Sequence, residues 1–130
     1  MTKICLNMIV RNESTIIERC LSNLIEIIDW IVITDTGSTD LTIEIINKFI
    51  KKNKPKISGK VYQDKWVNFA VNRTNSINNA KKYLKSIGGN LSNIYLLFID
   101  ADMIVELDNF NKSELKLDYY LIKQFNPYIS

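Results

Sequence analysis

The chain has 130 residues, 46% hydrophobic and 24% charged, with a net charge of +3. That is one domain's worth of sequence, and it is apolar enough to bury a core, which excludes a disordered segment. It contains no histidine, so imidazole triads, imidazole-bound zinc and histidine acid–base catalysis are excluded too.

Residues Ile4–Val10, ICLNMIV, are a nearly unbroken apolar run of strand length. The N-terminus passes straight into this run, so neither a signal peptide nor a membrane span is expected there. A helix follows, with Ile16, Ile17, Cys20, Leu21, Leu24, Ile25 and Ile28 at helical spacing, and Thr15 with Glu18 fits a capping box at its start. Cys5 in the strand and Cys20 on the apolar helix side read as buried free thiols of a reducing compartment, which points to the cytoplasm. WIVIT, Trp30–Thr34, is a second buried strand. It runs through DTGSTD into a second helix marked by Leu41, Ile45, Ile46, Phe49 and Ile50, which Asn53 and Pro55 end.

Many of the lysines fall in KKNKPKISGK, Lys51 to Lys60. Arginines and aromatics do not interleave with them, so the segment reads as a solvated connection and no nucleic-acid partner is expected. Lys60–Trp66 is the predicted third strand. Phe69–Ser86 is the third helix, with Phe69, Ala70, Arg73, Ile77, Ala80 and Leu84 on one face and Gly88 and Gly89 as its stop. Ile94–Ile99 is a fourth strand, predicted to be buried on both faces, and Leu117–Phe125 a fifth. The sequons at Asn12, Asn72, Asn90 and Asn111 read as chance in an Asn-rich chain.

Alternating strands and helices predict an α/β fold: a single domain with a mostly parallel, Rossmann-like sheet flanked by helices on both faces. Ligands bind such sheets at the carboxyl ends of the strands. The loops RNE, DTGSTD and DAD, after the first, second and fourth strands, gather acidic and Gly-containing chemistry at that edge.

Asp100 and Asp102 end an apolar strand, and side chains two apart on an extended backbone point the same way. Such a pair suits Mg²⁺ or Mn²⁺, ions that take few protein carboxylates and complete their shells with substrate phosphate oxygens. Asp35 sits at a strand tip, where structure alone needs no carboxylate, and could accept a uracil N–H or ribose hydroxyls. Asp40 competes with Ser38 and Thr39 to cap the second helix, and Gly37 supplies a turn. Arg73, one of three arginines, either pairs with Asp35 or Asp100 or grips a base or diphosphate. Arg11 and Glu13 are placed to reach the same pocket. Asn12 reads equally as the start of a helix, and Trp66 and Phe69 read as core in preference to a stacking platform.

In combination, V-R-N-E, I-V-I-T-D-T-G-S-T-D-L-T, W-x-x-F-A-V-N-R and F-I-D-A-D resemble the family-two glycosyltransferases of the nucleotide-sugar-binding GT-A fold, over nearly the whole chain. The resemblance implies a UDP-sugar donor whose base is bordered by Ile9, Val10 and Arg11 and bonded by Asp35. It implies that Glu13 lines the same site and that Arg73 lies near the base or diphosphate. In Asp100-Ala101-Asp102, Asp100 would meet the ribose, and Asp102 would bind Mn²⁺ or Mg²⁺ with Asp100 beside it. The acceptor would be a glycan, protein or lipid, attacked in an inverting displacement. Proteins with this pattern carry the base in an acceptor-binding half beyond the metal motif. Glu106 and Asp108 follow the motif too closely to be that base, so residues 1–130 read as the donor-binding half alone. Two rivals remain: a domain that binds the nucleotide-sugar without transfer, and a metal-dependent phosphotransfer domain. The second of these would place its acids after the first strand, where Arg11 stands.

Overall fold

Residues 1–122 are described by a computed structural model. Strands and helices alternate strictly through β1 (Lys3–Val10), α1 (Ile17–Leu24), β2 (Trp30–Asp35), α2 (Thr42–Lys52), β3 (Ser58–Gln63), α3 (Phe69–Ser86) and β4 (Ile94–Phe98). The strands form one parallel sheet in the order β3-β2-β1-β4.

Successive residues of β1 point to opposite faces, and both faces are covered. Ile4, Leu6, Met8 and Val10 join Ile31 and Ile33 of β2 under α1 and α2, against Ile17, Leu21, Leu24, Ile46 and Phe49. Cys5 and Val32 point the other way and meet Ala80 and Leu84 of α3. This two-sided burial is why β1 and β2 read as continuous apolar runs and not as alternating ones. Each fully buried Leu or Ile stabilises the fold by about 1.5–3 kcal/mol.

The carboxyl-terminal half of α3 packs on the sheet through apolar residues and the first half through polar ones. Its buried positions are Asn72, Ser76, Ala80 and Leu84, four apart. Phe69, Ala70 and Arg73, predicted to share the buried face, are displaced from it, and Phe69 and Ala70 are exposed. The sheet under the first turns is itself polar. Asn7 of β1 donates its side-chain N–H groups to Val32 O, Ser76 O and Ser76 Oγ, each at 3.1 Å, and Asn79 Nδ2 donates to Thr34 Oγ1 at 3.0 Å.

Other expectations shift as well. The capping box at Thr15 does not form: α1 starts at Ile17 without a side-chain cap, and Glu13 O accepts from the Ile16 and Ile17 N–H groups instead. β3 pairs with β2 from Trp30↔Ser58 to Asp35↔Gln63, so it starts before Lys60 and ends before Trp66. Gly59 makes that pairing possible, because a Cβ there would lie 2.1 Å from Ile31 O. β4 is half-buried because, among the described residues, it pairs with β1 alone. Residues 117–122 are not a strand, and the rest of the predicted fifth strand, 123–125, lies outside the described residues.

The strand order positions the site. From β1 the chain steps outward through β2 to β3, then returns to place β4 on the other side of β1. Loops leaving neighbouring strands β1 and β4 diverge at such a switch point and leave a crevice beyond the carboxyl ends. After this edge the chain runs back across α1, where Val105 N donates to Asn23 Oδ1 at 2.7 Å and Lys112 Nζ meets Asp29 Oδ2 at 2.9 Å. Among the described residues, no helix is long and apolar enough to cross a membrane.

Candidate functional site

A cleft of about 330 Å³ opens at the switch point. The end of β1 supplies Ile9, Val10, Arg11 and Glu13, the end of β2 supplies Thr36, and the residues after β4 supply Asp100. The segment leading into α3 closes it with Trp66, Phe69 and Arg73.

The first two loops are knitted together. Asn12 adopts a left-handed backbone with φ 53°. Its N–H donates to Ser38 Oγ, and its Oδ1 accepts the Thr39 N–H, both at 2.8 Å. Glu13 N donates to Thr42 Oγ1 at 2.9 Å and Ser14 N to Asp40 Oδ2 at 3.3 Å. Asn12 is therefore a cross-loop clamp and not a helix start. Asp40 accepts from Thr42 N at 3.0 Å and ties the start of α2 to the first loop. Hydrogen bonding, the Thr42 hydroxyl foremost, holds its carboxyl down at about 2.

Asp35 is 2% exposed and turned into its own loop. Oδ1 accepts the Gly37 and Ser38 N–H groups at 2.9 and 2.8 Å, and Oδ2 accepts the Ser38 hydroxyl. Gly37, with φ 117°, makes that tight turn. A carboxylate offers about four lone-pair sites, so three internal bonds leave Asp35 room for one more donor at Oδ2. It is not part of the cleft wall, where its neighbour Thr36 stands.

Asp100 and Asp102 do not extend β4. The strand ends at Phe98, and Met103 N donates to Asp100 O at 3.0 Å, closing a turn that carries both acids. Ala101 is buried within it, while Asp100 and Asp102 are exposed. Asp100 lines the cleft, and Asp102 is not one of its lining residues. Glu13 belongs to the same acidic group. Its carboxyl is held above the usual range, first by burial and then by repulsion from Asp102, Asp40 and Asp100. The turn also rests on Cys20, whose thiol lies 3.9 Å from Asp100 O.

Among the described residues, Arg73 and Arg11 are the basic groups that line the cleft. The Arg73 guanidinium lies between two aromatic rings, 5.2 Å from the centre of Phe69 and 4.9 Å from that of Phe98. It forms no ion pair with Asp35 or Asp100, and among the described residues its buried Nη1 has no hydrogen-bond partner. The ion-pair alternative is thus replaced by a guanidinium stacked on rings with an unused donor. Trp66 and Phe69, expected in the core, are 47% and 61% exposed on the cleft wall.

Sequence reasoning missed Thr36, Phe98 and Asn72. Thr36 follows Asp35 directly and Phe98 lies two residues before Asp100, so the loop ends themselves were the signal. Asn72 looked like a chance sequon, although it is entirely buried.

A family model described as Glycosyl transferase family 2 matches residues 5–113. The chain belongs to glycosyl transferase family 2. A comparison with curated proteins finds no match. The match runs from within β1 past the end of β4, and the parallel sheet of this family 2 domain, with helices on both faces, is the Rossmann-like GT-A arrangement. Among the described residues, no group of three or more His, Cys, Asp or Glu side chains is gathered to hold a metal. The acidic turn nevertheless offers oxygen chemistry alone, and among the described residues neither Asp100 nor Asp102 has an ion-pair partner. That donor set fits Mg²⁺ or Mn²⁺ held by one or two carboxylates together with ligand phosphate oxygens.

Proposed function

We propose that the cleft is the donor site of a glycosyltransferase and takes a UDP-sugar together with Mn²⁺ or Mg²⁺. The observation that carries this reading is Arg73, an aromatic-stacked guanidinium with a buried N–H unpartnered among the described residues, in one cleft with Glu13 and Asp100. A cation with a free donor beside an acidic turn suits an anionic ligand that a divalent ion also neutralises.

In this reading Ile9, Val10 and Arg11 border the base, and Asp35 accepts the uracil N–H on its remaining lone pair. Arg73 grips the base or diphosphate, Asp100 meets the ribose, and Asp102 binds the ion with Asp100 beside it. Ala101 anchors the turn between them. The ion, when bound, offsets the charge that builds on the departing UDP. Transfer is inverting: the acceptor hydroxyl bonds to the anomeric carbon as the opposite bond to UDP breaks, and a carboxylate base takes the hydroxyl proton. That base is assigned to none of Glu13, Asp100 and Asp102, which are committed to the donor.

Residues 1–130 then act as a single nucleotide-sugar-binding unit, and the sugar goes to a glycan, protein or lipid acceptor. The two free, buried thiols suit a reducing compartment, which supports the cytoplasm.

Thermal melting of the pure chain with saturating UDP and Mn²⁺ tests the reading. A rise of several degrees is expected from preferential binding to the folded state, and acetyl phosphate should not reproduce it. A rise with acetyl phosphate and none with UDP overturns the reading in favour of phosphotransfer.

A further inference from the structure

The segment between β3 and α3 has no regular structure, yet it is held at successive residues by one side chain. Asn72 is fully buried. Its Nδ2 donates to Asp64 Oδ2 at 3.1 Å and to Lys65 O at 3.0 Å. Its Oδ1 accepts the Val67 N–H at 2.9 Å. Both amide donors are used, and the acceptor is engaged. Asn75 adds a second bond to Asp64 Oδ2 at 2.9 Å, while Asp64 N donates to Asp35 O at 2.9 Å and fixes the segment to the end of β2.

Burying an amide is unfavourable unless its partners are present. No apolar residue at position 72 could satisfy Lys65 O and Val67 N. The residue between those two anchored backbone groups is Trp66. Trp66 is 47% exposed and lines the cleft beside Phe69 and Arg73. A half-exposed indole on a cleft wall leaves a flat apolar face uncovered, and the face of a nucleotide base covers such a surface sequence-tolerantly.

We infer that Asn72 is a positioning residue for the donor site: it holds the Asp64–Val67 segment so that Trp66 stacks on the nucleotide base. This rests on the donor-site reading above and adds the source of base affinity on the α3 side of the cleft. Asn72 touches no ligand itself, and its effect runs through Trp66.

The test is calorimetric titration of UDP, and separately of pyrophosphate, each with Mn²⁺, into the full chain and its Asn72→Ala, Trp66→Ala and doubly substituted variants. Each single substitution should weaken UDP about tenfold, the size of one lost base-stacking interaction. The double variant should be no weaker than either single one, because both remove the same interaction. Pyrophosphate, which has no base, should bind all four proteins equally. In a Trp30→Phe background, UDP should quench Trp66 emission, and Asn72→Ala should shift that emission to the red and abolish the quenching. Asp64→Ala, which releases one anchor and leaves Asn72 in place, should weaken UDP in the same direction by less, and it serves if Asn72→Ala does not fold. UDP affinity unchanged by Asn72→Ala or Asp64→Ala, losses that add in the double variant, or an equal loss of pyrophosphate would each overturn the inference. Absence of UDP binding to the wild-type chain is a separate result, which removes the donor-site reading and this inference with it.

Discussion

The guanidinium of Arg73 lies 4.9 Å from the centre of the Phe98 ring, which joins the third helix to the last residue of β4. Stacking needs a planar, delocalised cation, and a lysine at the same place would keep the charge but lose the fork and the stacking plane. Arg73→Lys should therefore weaken UDP about tenfold by calorimetry, with melting temperature nearly unchanged. Equal affinity for UDP in the lysine variant would show that charge alone is used.

Glu13 gives a pH signature. Its carboxyl is raised by burial and then by Asp102, Asp40 and Asp100, so the fold favours the protonated form. Its contribution to stability is then fully present below the ordinary value of 4.5 and is lost as pH rises through the raised value. The side chain is partly exposed, which keeps the effect small. Glu13→Gln should raise the melting temperature at pH 7 by about 1–2 °C and leave it unchanged at pH 4. Melting curves across that range check it, and a gain at pH 4 equal to that at pH 7 contradicts the assignment to charge.

Burial pushes the Cys5 thiol up to about 12 and the Cys20 thiol up to about 11. For Cys20, Arg19 opposes the shift and the nearby acids add to it. Thiolate is the reactive form, so native-state labelling at pH 8 should be about 100-fold or more slower than in denaturant for both cysteines. Fast labelling of Cys20 in the folded chain would mean that the acidic turn above it opens readily.

Gly59 faces Ile31 across the β2–β3 pairing, where an added Cβ would sit 2.1 Å from Ile31 O. The obstacle is backbone, which cannot swing aside like a side chain. Gly59→Ala should destabilise the domain by about 1–3 kcal/mol or more in denaturant unfolding. An unchanged midpoint would mean that β3 pairs loosely.

Much of the fold was legible because Ile4–Val10 and Trp30–Thr34 are apolar on both faces, which only a sheet covered on both sides requires. The neighbours of β4 were not legible: hydrophobicity records burial preference and cannot say that, among the described residues, IYLLF pairs with β1 alone. The buried face of α3 was hidden for a related reason. Asn72 and Ser76 are buried through hydrogen bonds, so an apolar periodicity pointed to Phe69 and Ala70 instead. At the site, the gathering of the loops follows from parallel topology alone. Ile9, Val10, Arg11, Glu13, Arg73 and Asp100 do line one cleft. Local geometry could not be foreseen. Asp35 closes its own turn, and the two acids after β4 sit on a turn held by Met103 N and Asp100 O, not on an extended strand.

The central claim is that UDP binds this cleft through a divalent ion held by the acidic turn. Calorimetric titration of UDP into the pure chain with Mn²⁺, with EDTA, and into Asp102→Ala with Mn²⁺ tests it most directly. The account predicts binding that requires the ion and falls by at least tenfold in the variant. UDP affinity that is the same with EDTA, or unchanged in Asp102→Ala, would contradict it.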